Sequence, residues 1–233
     1  MNEPILRGKV KSVYDVPEEA DKVKIVFHDK VTAWNGKHVE YPPDKGATCC
    51  MISAFLFERL ERVGIKTHYI DVPTLNTMLC RKVKIVPVEV ICRNFAAGSI
   101  IEHTEGLWEG QPFQPPIIEF FLKDDYKGDP LLTLDRVRLM NIDPIPFVIK
   151  TREVNEQLQK IFGEIGMDLI DFKLEFGYDC DGNFILADEI SPDSMRLWKK
   201  GTKERFDKDL FRKNEGDIVE AYKYILQKLR QSI

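Results

Sequence analysis

The chain has 233 residues, of which 43% are hydrophobic and 31% charged, a composition that supports a sizeable core in one domain or two small lobes and argues against disorder. Its formal net charge of −4 argues against a general nucleic-acid binder, and its densest apolar run, residues 85–92, is far shorter than the ~20 residues that span a bilayer. The five cysteines form no C-x-x-C pair, which favours reduced, mostly buried thiols in a cytoplasmic protein over a disulfide framework or a metal knuckle.

β-prone runs dominate the first third of the chain. Residues 9–15 and 23–28 predict two short strands, and the Pro-containing stretch 17–21 between them predicts a turn. Apolar side chains then recur at helical spacing, which predicts a helix over residues 47–63. Strand-like sequence follows from residue 67 to residue 93.

The remainder of the chain divides into an irregular middle and a regular end. The Pro-rich stretches 110–116 and 143–146 are predicted to be loops. Helical periodicity predicts helices over residues 151–165 and about 215–229, and residues 169–190 between them predict a β-hairpin. We interpret both helices as core-packing elements without a functional role.

The predicted hairpin is the most informative stretch. Its first strand, residues 169–177, alternates strictly between apolar and polar side chains, and Glu175 lies on the polar face. Asp181-Gly182 is a strong signal for a two-residue turn. With that turn, the register places Glu175 directly opposite Asp188 on the returning strand.

Directly opposed carboxylates should repel each other, because their β-carbons lie only about 4.5–5.5 Å apart. A divalent cation would offset the repulsion, and paired carboxylates suit Mg²⁺. Lys173, on the same face of the strand, could screen the charges instead. Two alternatives stay open at this point: a different turn would break the pairing, and alternating charges commonly mark a solvated strand face.

The segment after the hairpin adds polar groups to the same region. Asp193 and Arg196 follow the second strand through a Pro-containing loop, and loops after strand ends commonly carry function. An arginine can bind phosphate or carboxylate through two parallel hydrogen bonds. Taken alone, however, Arg196 is more often a surface residue.

Two further segments are candidates for phosphate binding. Gly8 permits close backbone approach, and Lys9 and Lys11 project to one side of a strand, an arrangement that can clamp a polyphosphate although it is not a Walker A loop. Farther along, a strand ends at Arg93, and a small-residue turn leads to a helix start at Ser99, which suits a phosphate monoester. A capped helix beside a surface arginine remains the alternative.

Six segments, in order and across nearly the whole chain, resemble the SAICAR synthetase family. They are residues 7–14, 44–46, 86–99, 171–177, 188–198 and 206–212. The resemblance implies an α+β fold with two lobes, related to the ATP-grasp and kinase-like arrangements. An N-terminal β-rich ATP-binding lobe would comprise residues 1–85, and a larger α/β lobe for substrate and metal would comprise residues 86–233.

The family resemblance also implies an activity. The expected reaction uses ATP and Mg²⁺ to join L-aspartate to 5-amino-1-(5-phosphoribosyl)imidazole-4-carboxylate (CAIR). It gives SAICAR, ADP and phosphate through an acyl phosphate, in purine biosynthesis. Glu175 and Asp188 would bind the Mg²⁺.

On the ATP side, the resemblance implies a cradle for the phosphates and a contact with the base. The phosphates would be held by Gly8, Lys9, Val10 and Lys11. The backbone around Lys82, at the connection between the lobes, would meet the adenine.

On the substrate side, the resemblance implies that Arg93, Ser99 and Arg196 hold the 5′-phosphate of the nucleotide. Asp193 would contact its ribose or aminoimidazole end. Lys173 would stabilise the transferring phosphoryl group or orient a substrate carboxylate, and with Asp193 and Arg196 it completes the candidate catalytic set.

Two departures from the family pattern bear on local contacts. Asn35 stands where relatives often carry Asp, and Ser194-Met195 stands where they often have a second serine or Gly-Ser. A kinase is an alternative interpretation, although no H-R-D-x-x-x-x-N or D-F-G motif is found, and a non-catalytic nucleotide-binding regulator is another. A homodimer is suggested by the family resemblance alone.

Overall fold

A computed structural model describes residues 3–33 and 36–232 of the chain. Asn35, one of the two departures from the family pattern, lies outside the described residues. The strands in chain order are β1 (Leu6–Arg7), β2 (Lys11–Val16), β3 (Glu19–Phe27), β4 (Val31–Ala33), β5 (His38–Glu40), β6 (Tyr69–Thr74), β7 (Thr77–Arg81), β8 (Lys84–Phe95), β9 (Pro112–Leu122), β10 (Leu131–Leu132), β11 (Met167–Tyr178), β12 (Phe184–Ala187) and β13 (Met195–Lys199). The α-helices are α1 (Lys45–Arg62), α2 (Ser99–Glu102), α3 (Leu134–Leu139), α4 (Ile145–Glu164), α5 (Asp209–Lys213) and α6 (Ile218–Gln231).

The first sheet is antiparallel and is built from the first third of the chain, with strand order β1-β2-β3-β7-β6. The predicted strand pair at its centre is confirmed as β2 and β3. Because β3 begins at Glu19, it takes in part of the stretch that was predicted to be a turn. β4 and β5 form a separate two-stranded ribbon.

The second sheet carries strands from the rest of the chain in the order β10-β9-β8-β11-β12, and β13 also pairs with β11. The chain passes from the first sheet to the second in the short connection between Arg81 and Lys84. β11 is the strand predicted from strict alternation, and it pairs with three neighbours, β8, β12 and β13. Residues that matter for function on β11 therefore have side chains from several strands beside them.

Helices join the two sheets into a single core. α1 packs against strands of the first sheet and against α6, whereas α4 packs against β8 and β11 of the second. One contiguous cluster of buried apolar side chains includes Ile25 of the first sheet, Leu56 of α1 and Leu174 of the second sheet. The mixture of antiparallel sheets and helices confirms the predicted α+β class.

The two predicted Pro-rich loops are confirmed only at residues 110–111 and 143–144, and the remainder of each stretch belongs to a strand or a helix for reasons that concern proline itself. β9 begins at Pro112, and β10 pairs only with Phe120 and Phe121, so the proline-containing half of β9 has one open edge, where a missing N–H is tolerated. α4 begins at Ile145 with Pro146 in its first turn. The N–H that a proline lacks there has no partner in a helix in any case.

The cysteine prediction is confirmed for the described residues: all five thiols are free, and four are buried, with Cys180 exposed. Within the described ranges, no helix combines the length and apolar character required to cross a membrane.

Candidate active site

A cleft of about 570 Å³ lies between the edge of the first sheet and the second sheet. Its walls are the segment from Leu6 to Lys11, side chains of β8 and β11, and the loop that follows β12. The cleft gathers the following predicted site residues: Gly8, Lys9, Val10, Lys11, Arg93, Ser99, Lys173, Glu175, Asp188, Asp193 and Arg196.

Lys82 is not among the residues that line this cleft. It lies in the connection between β7 and β8, and its ammonium forms an ion pair with Asp15 at 2.7 Å. The side chain is therefore directed to a surface partner. A contact between its backbone and adenine stays a prediction.

The predicted register of the hairpin is wrong by one residue. Glu175 pairs with Ala187, not with Asp188. The turn is one residue longer than expected, because the Asp179 carboxylate accepts the N–H groups of Asp181 (3.0 Å) and Asn183 (2.8 Å). Gly182 then supplies the left-handed residue (φ 79°) of a three-residue hairpin loop.

Asp188 nevertheless reaches the cleft, because it lies just beyond the strand and not within it. Its φ is 66°, a left-handed conformation that Asp tolerates better than most residues. The Lys11 ammonium donates to its carboxylate at 2.5 Å and pairs with Glu189 at 2.8 Å. Lys11 of the first sheet thus pairs with both Asp188 and Glu189.

The like-charged neighbour of Glu175 is Glu89 of β8, which lies opposite it in the ladder. Lys173 separates the two carboxylates, with its ammonium 2.5 Å from Glu89 and 3.1 Å from Glu175. Lys123 pairs with the other oxygen of Glu175. Glu175 therefore does face another carboxylate, as expected from the sequence. That carboxylate belongs to Glu89 and not to Asp188, and Lys173 and Lys123 screen the repulsion.

These contacts form what we call the acid–lysine cluster, which comprises Glu89, Glu175, Asp188, Glu189, Lys11, Lys123 and Lys173. Four carboxylates face three ammonium groups. Burial raises the pKa of Glu89 above its ordinary value despite Lys173. At Asp188, burial acts in the same direction, but Lys11, Lys173 and Lys123 together hold the pKa of the carboxyl well below its usual range.

A second cluster contains the predicted phosphate-binding arginines. β11 places Asp171 beside Arg93 of β8 and Arg196 of β13, so three neighbouring strands align the three side chains. One oxygen of Asp171 accepts Nη1 of Arg93 at 2.9 Å and Nη1 of Arg196 at 2.7 Å. Nε of Arg93 donates to Glu119 at 2.6 Å, and Nε of Arg196 donates to Asp209 at 2.9 Å.

This arginine cluster, defined as Arg93, Arg196, Asp171, Glu119 and Asp209, is not a set of solvated surface residues. Only 2% of the Arg93 side chain is exposed, and 18% of Arg196. Each guanidinium is held by two carboxylates, which fixes its orientation before any ligand arrives.

The small-residue turn before Ser99 is required by Arg196. Gly98 has φ 64°, and a β-carbon there would lie 2.4 Å from Nη2 of Arg196, so a side chain is excluded. The predicted helix start at Ser99 is confirmed, but α2 is a single turn and offers little dipole. The Ser99 hydroxyl lies 3.4 Å from Nη2 of Arg93.

Asp193 is held from two helices that sequence analysis did not connect with the site. The Lys45 ammonium, at the start of α1, pairs with one oxygen, and the hydroxyl of Tyr222 on α6 donates to the other at 2.9 Å. Only 1% of Lys45 is exposed. Gly46 permits this placement, because a β-carbon there would lie 2.7 Å from the His28 carbonyl carbon.

Cys49, Glu189 and Asp193 bring potential metal ligands within 4.8 Å of one another. The carboxylates, however, are already paired with Lys11 and Lys45. Burial raises the pKa of Cys49 well above its ordinary value, so the group is a neutral thiol and a poor ligand.

Comparison with known proteins places this geometry in a family. The SAICAR synthetase family model matches residues 4–229. The phosphoribosylaminoimidazole-succinocarboxamide synthase of Methanocaldococcus jannaschii is 43% identical over 97% of this chain and 94% of its own length, and that of Bacillus subtilis is 43% identical over 98% and 95%. The chain belongs to the SAICAR synthetase family.

Solved structures of SAICAR synthetases agree with the fold. The phosphoribosylaminoimidazole-succinocarboxamide synthase of Ehrlichia chaffeensis superposes with a TM-score of 0.94 at 36% identity, covering 98% of each chain. A SAICAR synthetase in complex with ADP gives a TM-score of 0.92 at 36% identity, covering 96% of each chain. The family resemblance and the fold class inferred from the sequence motifs are both confirmed.

The structure also adds cleft residues, or partners of cleft residues, to those predicted. They are Lys45, Glu89, Lys123, Asp171, Glu189, Lys208, Arg212 and Tyr222. A usable signal existed for Lys45, which lies in the family segment 44–46, and for Asp171, which shares the polar face of β11 with Lys173. Glu89 lies in the family segment 86–99, whereas Lys123 lies in none of the six segments and gave no local signal, because its importance comes from a strand neighbour distant in sequence.

Proposed function

We propose that this cleft carries out the reaction of the SAICAR synthetase family, the ATP-dependent joining of L-aspartate to CAIR to give SAICAR, ADP and phosphate. The observation that carries the proposal is the presence, in one cleft, of an acid–lysine cluster and a separate arginine cluster. The first suits a metal-bound polyphosphate, and the second suits a phosphate monoester. A relative of 36% identity is known in complex with ADP.

The acid–lysine cluster fits Mg²⁺ by its donor chemistry. Mg²⁺ prefers oxygen ligands and commonly uses one or two carboxylates together with substrate phosphates. Glu175 and Asp188 would supply those oxygens, and the excess of carboxylates over ammonium groups leaves negative charge for a cation to offset. When bound, the ion would neutralise charge on the transferring phosphoryl group.

The ATP phosphates would lie against the edge of the first sheet. Lys9 and Lys11 flank Val10 in the cleft wall, and Gly8 precedes them. Lys11 already contacts Asp188, so it would join the polyphosphate to the metal carboxylates. In this arrangement residues 1–85 form the ATP lobe, residues 86–233 form the substrate and metal lobe, and the backbone near Lys82 meets the adenine.

The nucleotide substrate would place its 5′-phosphate at the arginine cluster. Arg93 and Arg196 carry fixed guanidinium groups there, with Ser99 alongside. Asp193, held by Lys45 and Tyr222, would contact the ribose or the aminoimidazole. CAIR would then span the cleft from its phosphate to its carboxylate near Lys173.

The chemistry requires activation of a carboxylate. The γ-phosphoryl group of ATP transfers to a carboxylate oxygen of CAIR, breaking the bond to ADP and forming an acyl phosphate. The amine of L-aspartate attacks the acyl carbon, loses a proton and displaces phosphate. The residues of the cleft act mainly by positioning and by neutralising charge, with Lys173 beside the transferring group.

ADP release tests the proposal directly. The assay contains ATP, Mg²⁺, CAIR and L-aspartate, and each substrate is omitted in turn. We expect sustained ADP release only with the complete mixture. Sustained release and a stable phosphorylated product without L-aspartate would indicate a kinase instead, and no release at all would indicate a nucleotide-binding regulator.

Two further expectations come from the sequence, one from the family resemblance and one from the cysteine pattern. A homodimer is one, and its mass in solution can be measured by light scattering coupled to size-exclusion chromatography. A cytoplasmic location is the other, and fractionation of the producing cells tests it.

A further inference from the structure

Lys208 lies in the cleft without an ion-pair partner among the described residues. It precedes α5 and lines the cleft close to Asp193 and Arg212. The lysines of the acid–lysine cluster differ, because each of them contacts at least one carboxylate. A cation that is left unpaired at the wall of a binding cleft is suited to a ligand anion.

The surroundings of Lys208 make its charge costly in the absence of such an anion. Burial lowers its pKa; Asp193 counteracts this, while Arg212 and Lys45 lower it further. Among the described residues Asp193 forms its ion pair with Lys45 and accepts a hydrogen bond from Tyr222, and no ion pair joins it to Lys208. A bound carboxylate would therefore offset a charge that Asp193 and Glu189 compensate only in part.

Arg212 stands four residues farther along, at a spacing that brings side chains to one face of a helix. Its Nη1 donates to Asp209 at 2.6 Å, and the other oxygen of Asp209 accepts Nε of Arg196 at 2.9 Å. Asp209 thereby connects Arg212 to the arginine cluster. Lys208 and Arg212 together place two positive charges beside the proposed nucleotide phosphate site.

Three substrates must share the cleft under the proposed function, on which this inference rests. ATP has the acid–lysine cluster, and the phosphate of CAIR has Arg93 and Arg196. L-Aspartate has two carboxylates that need cations, and its amine must reach the acyl carbon between the other two sites. We propose that Lys208, with Arg212 beside it, binds a carboxylate of L-aspartate.

The test compares three variants with the wild type by steady-state kinetics for each substrate. Lys208→Gln keeps much of the length and removes the charge, Lys208→Arg keeps the charge, and Lys213→Gln is the matched control. Lys213 is the last residue of α5, the helix that Lys208 precedes. Its ammonium lies 3.7 Å from Glu109, and it does not line the cleft. Thermal melts establish that each variant is folded.

We expect Lys208→Gln to raise the KM for L-aspartate by about 10- to 100-fold, as loss of one charge-assisted contact predicts. The KM values for ATP and CAIR should stay within about threefold, Lys208→Arg should recover much of the loss, and Lys213→Gln should match the wild type. An equal or larger rise in the KM for CAIR would overturn the assignment, because the lysine would then serve the phosphate.

The remaining outcomes also discriminate. If the wild type converts all three substrates but Lys208→Gln leaves the KM for L-aspartate unchanged, the carboxylate assignment is wrong and the proposed function stands. If the wild type shows no aspartate-dependent ADP release, the proposed function fails and the assignment fails with it.

Discussion

The two ends of the cleft hold their cations in different ways. In the acid–lysine cluster, Lys11 and Lys173 each lie between two carboxylates, and an ammonium group is a compact point charge. In the arginine cluster, Arg93 and Arg196 share Asp171, and a second carboxylate holds Nε of each. Both ends are nearly neutralised internally, yet they suit different ligands.

The difference follows from the shape of the charged groups. A guanidinium has five N–H donors in a rigid fork, so it can bind carboxylates with some donors and present others to a ligand. An ammonium group does not hold its donors in fixed directions in this way. Its ion pairs would therefore have to rearrange for a metal-bound polyphosphate to enter. Under the proposed function, the arginine end would be prepared in advance for a fixed phosphate group, and the acid–lysine end would exchange partners during the reaction.

The largest expected effect comes from Asp188→Asn at the acid–lysine end. Asn tolerates the left-handed backbone of this position, so the fold should persist while one charge of the proposed metal site is lost. We expect turnover to fall by about 100-fold or more, with a raised Mg²⁺ requirement, as for other losses of transition-state charge stabilisation. A Mg²⁺ titration of activity measures both quantities.

Thermal melts of Asp188→Asn without metal sharpen the same experiment. If Asp188 directly opposed another carboxylate, removal of its charge would relieve a repulsion and make the variant more stable. Asp188 pairs with Lys11 instead, so we expect the free energy of unfolding of Asp188→Asn to be lower than that of the wild type by about 1–3 kcal/mol. Asp181→Asn, on the exposed hairpin loop, is the control. Wild-type turnover and wild-type Mg²⁺ dependence in Asp188→Asn would remove this residue from the metal site.

An intermediate effect is expected from Arg196→Lys at the arginine end. Lysine keeps the charge but cannot bind Asp171 and Asp209 while also presenting a donor to phosphate. We expect the KM for CAIR to rise by about tenfold, with the KM for ATP nearly unchanged. Arg138→Lys, at an exposed ion pair on α3, is the control, and equal rises for both substrates would contradict a separate phosphate site.

Arg196→Lys is a cleaner test than Arg93→Ala. The Arg93 side chain is 2% exposed and pairs with Asp171 and Glu119. Its removal would leave Glu119 without its ion-pair partner and Asp171 with Arg196 alone, at a cost of about 3–5 kcal/mol in the free energy of unfolding. A loss of activity in that variant would therefore mix unfolding with substrate binding.

The smallest effect concerns the support of the arginine cluster. Burial and the neighbouring Asp209 raise the pKa of Asp207 to about 7. Because this folded-state pKa lies above the unfolded value of about 3.9, Asp207 contributes stability at low pH that is lost as the pH rises toward 7. Asp207→Asn removes this pH dependence.

Urea unfolding at pH 5 and pH 8 measures the Asp207 contribution. The two carboxylate oxygens accept N–H groups of Leu197 and Asp209, and an amide offers one oxygen fewer, so at pH 5 we expect Asp207→Asn to be less stable by about 1 kcal/mol. At pH 8 the difference should shrink or reverse. A constant difference at both pH values would show that Asp207 has an ordinary pKa.

The regular helices were predictable because their pattern is local. The stripe predicted over 47–63 became α1 from Lys45 to Arg62, and the final helix, predicted at about 215–229, became α6 from Ile218 to Gln231. Helical periodicity depends on neighbours three and four residues apart, which the sequence displays directly. The interpretation of α6 as packing only was incomplete, since Tyr222 also holds Asp193.

The hairpin shows where local reasoning ends. The existence of β11 and β12 followed from alternation and turn residues, but the pairing depended on one extra residue in the loop. The Asp179 side chain decided that loop through hydrogen bonds to the backbone of residues 181 and 183. A change of one residue in the loop changes every cross-strand partner, so Glu175 lies opposite Ala187 of β12 and not Asp188. Its carboxylate neighbour, Glu89, lies on the other side of β11, on β8.

The sequence by itself determined the family, the α+β class and eleven of the residues that line the cleft, because short motifs and periodicity are properties of neighbouring positions. Only the tertiary structure decided the partners of those residues. Glu89 meets Glu175, Lys45 meets Asp193 and Asp171 meets two arginines through strands and helices that are distant along the chain. The electrostatics of the cleft depend on these distances in space, and spacing along the chain does not specify them.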